Sequence, residues 1–123
     1  MAILDTEYQL KFAIEVKCSS QWTAKYYADL RRLTEIYFKS NPQRRCQCIF
    51  MAYVYGYGNT LADAEKKLKE KITDYKEKSN TFFKKRKYSL SYRFSEDIHK
   101  KYYHYTDEID LFYKTASLCC IIG

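Results

Sequence analysis

The strongest constraint on this chain is a segment over residues 46–57 that is apolar on both faces of a strand. Cys46 and every second residue to Val54 form one face, and Ile49 and every second residue to Tyr57 form the other. A strand that is covered on both faces lies inside a sheet and not at its edge. The run is far shorter than the roughly 20 apolar residues of a membrane-spanning helix. We therefore expect a folded domain that does not cross a membrane.

Two other segments have the alternation of half-buried strands. Apolar side chains occupy every second position from Tyr8 to Cys18, and the residues between them are mostly polar. This period of two predicts a strand whose apolar face lies on the core and whose polar face meets water. The same alternation predicts a third strand whose inward side chains are Tyr88, Leu90, Tyr92 and Phe94.

Two amphipathic helices are predicted between these strands. Apolar residues recur at spacings of three and four over residues 22–37 and again over residues 61–75, which is the pattern of a helix with one buried stripe. Thr60 supplies an N-cap hydroxyl for the second helix. The turn from Gly56 to Thr60 has neither a P-loop nor a dinucleotide-binding motif, so we interpret it as a plain strand-to-helix turn.

The segment after Ser95 carries two conflicting patterns. Apolar residues from Ile98 to Ala116 keep a helical spacing, whereas the run over residues 102–105 favours a strand by propensity. We predict two short helices here. The last apolar run, from Leu118 to Ile122, is then a closing strand or a tail that docks on a partner.

The resulting prediction is one α+β domain over residues 1–123, a length typical of a single domain. It has a small mixed sheet of three or more strands with helices packed on one face. The element order is β-α-β-α-β-α, followed by a helix or a strand.

The positive charge is concentrated in one region of the chain. The formal net charge is +7, and residues 66–101 hold 13 basic and 5 acidic residues, a surplus of 8. Such a concentration attracts a polyanion through counterion release, and aromatic rings among the cations suit stacking on unpaired bases. We predict that nucleic acid or an acidic partner surface binds to Lys84, Lys85, Arg86, Lys87, Arg93, Lys100, Lys101 and Tyr103.

This charge pattern favours a small, basic, non-enzymatic protein that binds RNA or single-stranded DNA in the cytoplasm. The alternative is a virus- or phage-encoded inhibitor that binds a protein of a host nucleic-acid-handling complex, as anti-CRISPR proteins do, in the host cytoplasm. Either function is compatible with a homodimer, because tyrosine is enriched at protein interfaces. The predicted dimer contacts are Tyr53, Tyr55, Tyr57 or the run from Leu118 to Ile122.

The cysteines predict reduced thiols. There are five of them, an odd number, in a chain whose start lacks the pattern of a secretory signal. A zinc site that joins Cys46 and Cys48 to Cys119 and Cys120 is disfavoured, because adjacent residues of a strand point to opposite faces. We predict no metal and no cofactor.

No local signature of catalysis is present. His99 and His104 lie beside lysines or tyrosines, where a histidine is more often a solvated surface residue than a general base. The acidic cluster of Asp107, Glu108 and Asp110 contains the oxygens that bind divalent cations, yet it is more typical of a helix start. We therefore predict no catalytic residue and expect that the protein is not an enzyme.

Overall fold

The computed structural model describes residues 2–4, 10–18, 24–84, 86–105 and 107–123. In chain order the elements are β1 (Ala2–Leu4), β2 (Leu10–Cys18), α1 (Ala24–Lys39), β3 (Gln47–Gly58), α2 (Leu61–Phe83), β4 (Tyr88–His104) and β5 (Asp107–Ile122). The five strands form one sheet in the order β1-β2-β3-β5-β4. The pair β2–β3 is parallel and the other three pairs are antiparallel.

The predicted fold class is wrong, because the five-stranded mixed sheet dominates the structure and the described residues form only two helices where at least three were expected. The segment after Ser95 does not form helices. It forms most of a long antiparallel hairpin in which Ile98 pairs with Tyr113 and Tyr102 pairs with Ile109. Ile98, Tyr102 and Ile109 of the apparent helical stripe share one face of this hairpin, whereas Phe112 and Ala116 lie on the other. The strand propensity of the tyrosine run prevails over the helical spacing.

The C-terminal apolar run does not have one of the two roles that were predicted for it. Leu118, Cys120 and Ile122 belong to β5, which lies between β3 and β4, and all three are buried against the helices. The prediction of a tail that docks on a partner is thus wrong, because these three buried side chains are unable to contact a partner. The expectation that β3 lies inside the sheet is confirmed, since β2 and β5 pair with its two edges.

The core lies between the two helices and one face of the sheet. Alternate residues of β3 from Cys48 to Val54 face the helices, and α2 packs so closely on β3 that a Cβ at Gly56 would lie 2.2 Å from the backbone oxygen of Ala64. Tyr26 of α1 packs edge-on against the ring of Phe50, with ring centroids 4.8 Å apart. Thr60 caps α2 as predicted, accepting a hydrogen bond from the Asp63 N–H at 3.1 Å.

Strand β2 faces the opposite way from the prediction. Ala13 is buried beneath the helices, and Glu15 and Lys17 lie on the same side, where they contact α1. Phe12, Ile14 and Val16 of its apolar set consequently lie on the side of the sheet that neither helix covers, whereas Leu10 packs against the core. The reason is an ionic network with α1: Lys17 lies 3.6 Å from the buried carboxylate of Asp29, and Arg32 lies 3.5 Å from Glu15.

Neither helix of the described ranges has the length and apolar character that a membrane span requires.

Candidate functional site

One end of the sheet gathers two loops that are rich in cations. Cys48, Ile122 and Tyr88 are aligned across β3, β5 and β4, so β3 and β4 begin where β5 ends. The connections from α1 to β3 and from α2 to β4 therefore lie at this same end. These connections and the last residue of α1 expose basic side chains, and we call five of them the basic end: Lys39, Arg45, Lys84, Arg86 and Lys87.

The charges of the basic end are not neutralised within the described residues. None of its five cations forms an ion pair with any carboxylate that the structure describes. The sequence contributes to this, since no acidic residue occurs over 36–47 or over 78–95. A cluster of cations without facing acids produces a positive potential that attracts anions from a distance.

Arg45 is held in place by the end of α1. Its Nη1 donates hydrogen bonds to the backbone oxygens of Tyr37 at 2.9 Å, Phe38 at 2.9 Å and Ser40 at 3.1 Å. The carbonyls of Tyr37 and Phe38 belong to the last turn of α1, and Ser40 directly follows the helix. Carbonyls of a last turn have no backbone partner inside the helix, and a cation is favoured there by the helix dipole. The guanidinium is thus fixed at the surface by the fold.

An exposed aromatic ring lies between the two basic loops. Phe38 is 55% exposed, and its ring centroid lies 5.8 Å from the guanidinium carbon of Arg45 and 5.6 Å from that of Arg86. Arg86 reaches this position because Lys84 ends α2 with a positive φ of 49° and its N–H bonds to the Asn80 oxygen at 2.9 Å. The ring therefore offers a flat apolar face close to two positive charges.

A cleft of about 220 Å³ lies beside this ring. Apolar side chains form most of its walls, and two cations of the basic end stand at its edge. The backbone N–H of Gly123 donates to the oxygen of Lys87 at 3.0 Å, which fixes the last residue of the chain against the second basic loop. The lining residues are Thr34, Tyr37, Phe38, Arg86, Lys87, Ile122 and Gly123.

The structure divides the predicted binding residues among separate places. Lys84, Arg86 and Lys87 belong to the basic end, and Lys85 lies outside the described residues. Arg93 is exposed on the helix-free side of β4, opposite Ser117 of β5. Lys100, the first of the lysines near the hairpin tip, lies thirteen positions after Lys87. In extended chain this is about 40 Å at about 3.3 Å per residue.

The basic residues at the hairpin tip face acids. Lys101 Nζ lies 2.8 Å from Glu108 Oε1, and this hydrogen bond is the main reason that the pKa of Lys101 is raised. His99 Nε2 lies 2.8 Å from Asp110 Oδ1. The neighbouring Lys100 is exposed, and its Nζ lies 5.7 Å from the ring centroid of Tyr113. The tip is thus close to neutral, although the predicted stacking ring, Tyr103, is 73% exposed there.

The predicted acidic cluster is part of this hairpin and not of a helix start. Asp107, Glu108 and Asp110 are the first residues of β5, and two of them pair with β4 side chains as described above. The His99 ring also stacks on Phe112, with ring centroids 4.4 Å apart. The side chain of His104 lies outside the described part. Among the side chains that the structure describes, no three His, Cys, Asp or Glu residues are close enough to hold a metal ion.

The buried thiols do not have the properties of nucleophiles. Burial raises the pKa of Cys48 to about 12, and the neighbouring Cys46 adds to this effect. Burial likewise raises the pKa of Cys120 to about 12. Both side chains are therefore neutral thiols at physiological pH and act as small apolar groups of the core.

A surface concavity of about 610 Å³ runs along the outer face of α2. Lysines and carboxylates alternate along it, and several pair with each other: Lys69 lies 3.0 Å from Glu65, and Lys78 lies 2.7 Å from Asp74. Pairs of this kind are typical of a solvated helix face. Its lining contains four carboxylates and two lysines, so the groove lacks the excess of positive charge that distinguishes the basic end.

Sequence reasoning missed the part of the basic end that α1 contributes. Lys39, Arg45 and Phe38 precede Lys84 by about 40 residues in the chain, and only the packing of α1 beside the end of α2 brings them together. A usable signal was the acid-free stretch over 36–47, which includes Arg45.

No family model matches the chain, and no curated protein is similar enough to count as a relative.

Proposed function

We propose that this protein binds single-stranded nucleic acid, RNA or DNA, through the basic end and catalyses no reaction there. The observation that carries the proposal is the set of five exposed cations without ion pairs in the described structure, at the end of the sheet where two of them, Arg45 and Arg86, lie close to the exposed ring of Phe38. Phosphates bind to such cations mainly through release of counterions. A base is stabilised by stacking on an aromatic ring by about 1 to 3 kcal/mol.

The shape of the site favours an unpaired strand over a duplex. The exposed ring and the apolar cleft beside it give a base a surface to stack on, and the bases of a duplex are already stacked on one another. Arg86 and Lys87 at the edge of the cleft are placed for phosphates next to such a base. Stacking with flanking cations is the usual arrangement of proteins that bind single strands with little sequence preference.

A salt titration tests this proposal. Fluorescence anisotropy with labelled oligouridylate, oligothymidylate and a duplex of the same length measures affinity at about 50 to 400 mM salt. We expect tighter binding of the single strands and a slope of log K against log salt of about −3, since each of four to five contacts contributes about −0.7. Equal affinity for the duplex contradicts the stacking role of Phe38, and absence of binding at low salt contradicts the proposal itself.

A second candidate function uses the same surface. The guanidinium of Arg45, fixed by three backbone oxygens, also suits carboxylates of an acidic protein, because a preorganised guanidinium forms paired hydrogen bonds with little loss of entropy. Binding of an acidic protein in this way is the function of a virus- or phage-encoded inhibitor of a host complex. A pull-down from nuclease-treated lysate separates the two: a protein partner that is lost in the R86A/K87A variant favours the inhibitor. Either function operates in the cytoplasm.

A further inference from the structure

The side of the sheet opposite the helices is apolar at its centre. Residues of β2, β3 and β5 alternate so that their apolar members point away from α1 and α2, and neither helix covers this side in the described structure. The centre contains no charged residue. We call it the open face: Phe12, Ile14, Val16, Ile49, Met51, Tyr53, Cys119 and Ile121.

The side chains of the open face are aligned in rows across the strands. Val16, Met51 and Cys119 form one row, in which Met51 pairs with both of the others. Val16 is 56% exposed and Met51 is 40% exposed. Contiguous apolar surface of this kind is uncommon on a monomer and marks a surface that binds a partner.

The orientation of β2 also indicates that the open face is covered by a partner. Its alternation allows either set of side chains to face the helices, and the chain places Glu15 and Lys17 on the helix side. The apolar set, including Ile14 and Val16, is thereby assigned to the open face. Charged side chains toward the helices and apolar side chains on the open face are expected together when a partner covers the open face.

We propose that a second copy of this chain covers the open face, so that two sheets pack face to face in a symmetric dimer. Seven residues of β2 pair with β3, which is a length of about 23 Å, and the three strands of the open face, about 4.8 Å apart, span about 14 Å. The projected area of this apolar centre is about 320 Å², and it rises to at most about 550 Å² when the flanking strands β1 and β4 are included. The accessible area is larger once side chains are counted. It is of the order of the roughly 800 Å² that each partner of a stable complex buries.

The distribution of charge selects a second copy as the occupant. Each chain carries a net charge of +7, yet none of the open-face side chains is charged. Lys11 at the Phe12 ring and Glu96 at the Tyr53 hydroxyl border this face with opposite charges, so two copies meet there without a surplus of one charge. The polar residues Ser89, Ser91 and Arg93 lie on the same side along the edge strand β4, and they give the apolar centre the polar rim of an ordinary interface. A sheet face that is flat and apolar is also complementary to itself, as in β-sandwiches.

Only one of the three tyrosines that the sequence predicts as dimer contacts lies in this interface. Tyr55 and Tyr57 lie beyond the end of β2, where Lys71 and Lys67 of α2 reach them, with Nζ 5.0 Å and 4.9 Å from the ring centroids. Tyr53 remains inside the open face, opposite Ser117. The contact therefore centres on Met51 and extends toward β2.

Light scattering after size-exclusion chromatography tests the dimer. The protein is treated with nuclease and run in high salt at tens of micromolar, so that nucleic acid does not bridge two chains. We expect twice the 14.8 kDa mass of one chain for the wild type. The M51E variant buries two charges in the interface, so its dimerisation is expected to weaken by about 100-fold or more. The matched control L61E changes an apolar residue of the same exposure, 39%, at the start of α2, and remains a dimer.

A monomeric wild type, or an L61E variant as weakened as M51E, overturns the proposal. If M51E does not fold, as judged by far-UV circular dichroism, V16K serves in its place, because Val16 is more exposed still. Labelling with iodoacetamide, read at each cysteine by mass spectrometry, supplies an independent measurement. We expect Cys119 to react slowly in the dimer and at least about tenfold faster in the dissociated variant. Equal rates contradict the interface.

Discussion

The guanidinium carbon of Arg86 lies 5.6 Å from the ring centroid of Phe38, which joins the loop after α2 to the end of α1. Arg45 approaches the same ring from the loop before β3, at 5.8 Å. The contact places positive charge and an exposed aromatic surface together at one end of the sheet. It is the geometric basis of the proposed binding of single strands.

The stacking role of Phe38 is tested by removing its ring. We expect F38A to weaken binding of a single-stranded oligonucleotide by about 1 to 3 kcal/mol, with an unchanged salt slope because no charge is lost. Fluorescence anisotropy across a salt series measures both quantities. Y103A is the control, since Tyr103 is exposed at the hairpin tip far from the basic end. An equal effect of the two substitutions means that the ring of Phe38 does not stack on a base.

The network between β2 and α1 predicts a pH-dependent contribution to stability. The pKa of Glu15 is lowered from its ordinary value of 4.5, first by the hydrogen bond from Lys17. Its stabilising effect is therefore present above that value and is lost as the pH falls through the lowered pKa of the folded state. We expect E15Q to lower the free energy of unfolding at pH 7 by about 0.5 to 1 kcal/mol.

Urea unfolding of E15Q and wild type at pH 7 and at about pH 3 checks this. The difference between the two proteins should shrink as the carboxylate of the wild type becomes protonated. A difference that persists unchanged at the lower pH assigns the effect of E15Q to packing and not to charge.

Close packing of α2 on β3 predicts that Gly56 does not tolerate a side chain. A Cβ there would lie 2.2 Å from the backbone oxygen of Ala64, whereas at Gly58 its nearest neighbour is the Asp63 side chain at 2.7 Å. Backbone is less able to move than a side chain, so we expect G56A to lower the free energy of unfolding by about 2 kcal/mol or more, and G58A by less. Urea unfolding followed by circular dichroism compares them, and equal losses contradict this account of the packing.

Local patterns were sufficient to predict β3 and α2. The two apolar faces of β3 and the Thr60 cap with the apolar stripe of α2 depend on residues close together in the chain. The prediction of two helices after Ser95 was wrong, because Ile98 and Tyr102 have a helical spacing that is also compatible with cross-strand pairing to Tyr113 and Ile109. Periodicity gave the alternation of β2 but not its orientation, which depends on ion pairs with α1.

The candidate site was predictable only where it is contiguous. Lys84, Arg86 and Lys87 are close together in the sequence and stay together in the fold. Their neighbour Phe38 comes from a distant helix, so only tertiary packing reveals it. The neutralisation of Lys101 by Glu108 depends on the register of the hairpin, which a helical interpretation of that segment did not contain.

In the proposed function, nucleic acid binds through the basic end and not through the total charge of the chain. Two double variants remove the same charge from different places: R86A/K87A from the basic end and K100A/K101A from the hairpin. Binding of a labelled oligothymidylate is measured by anisotropy across a salt series. We predict that R86A/K87A weakens binding by about tenfold or more and makes the salt slope shallower by about 1.4, while K100A/K101A stays within about twofold of wild type. Equal losses, or a larger loss from the hairpin variant, would contradict the claim.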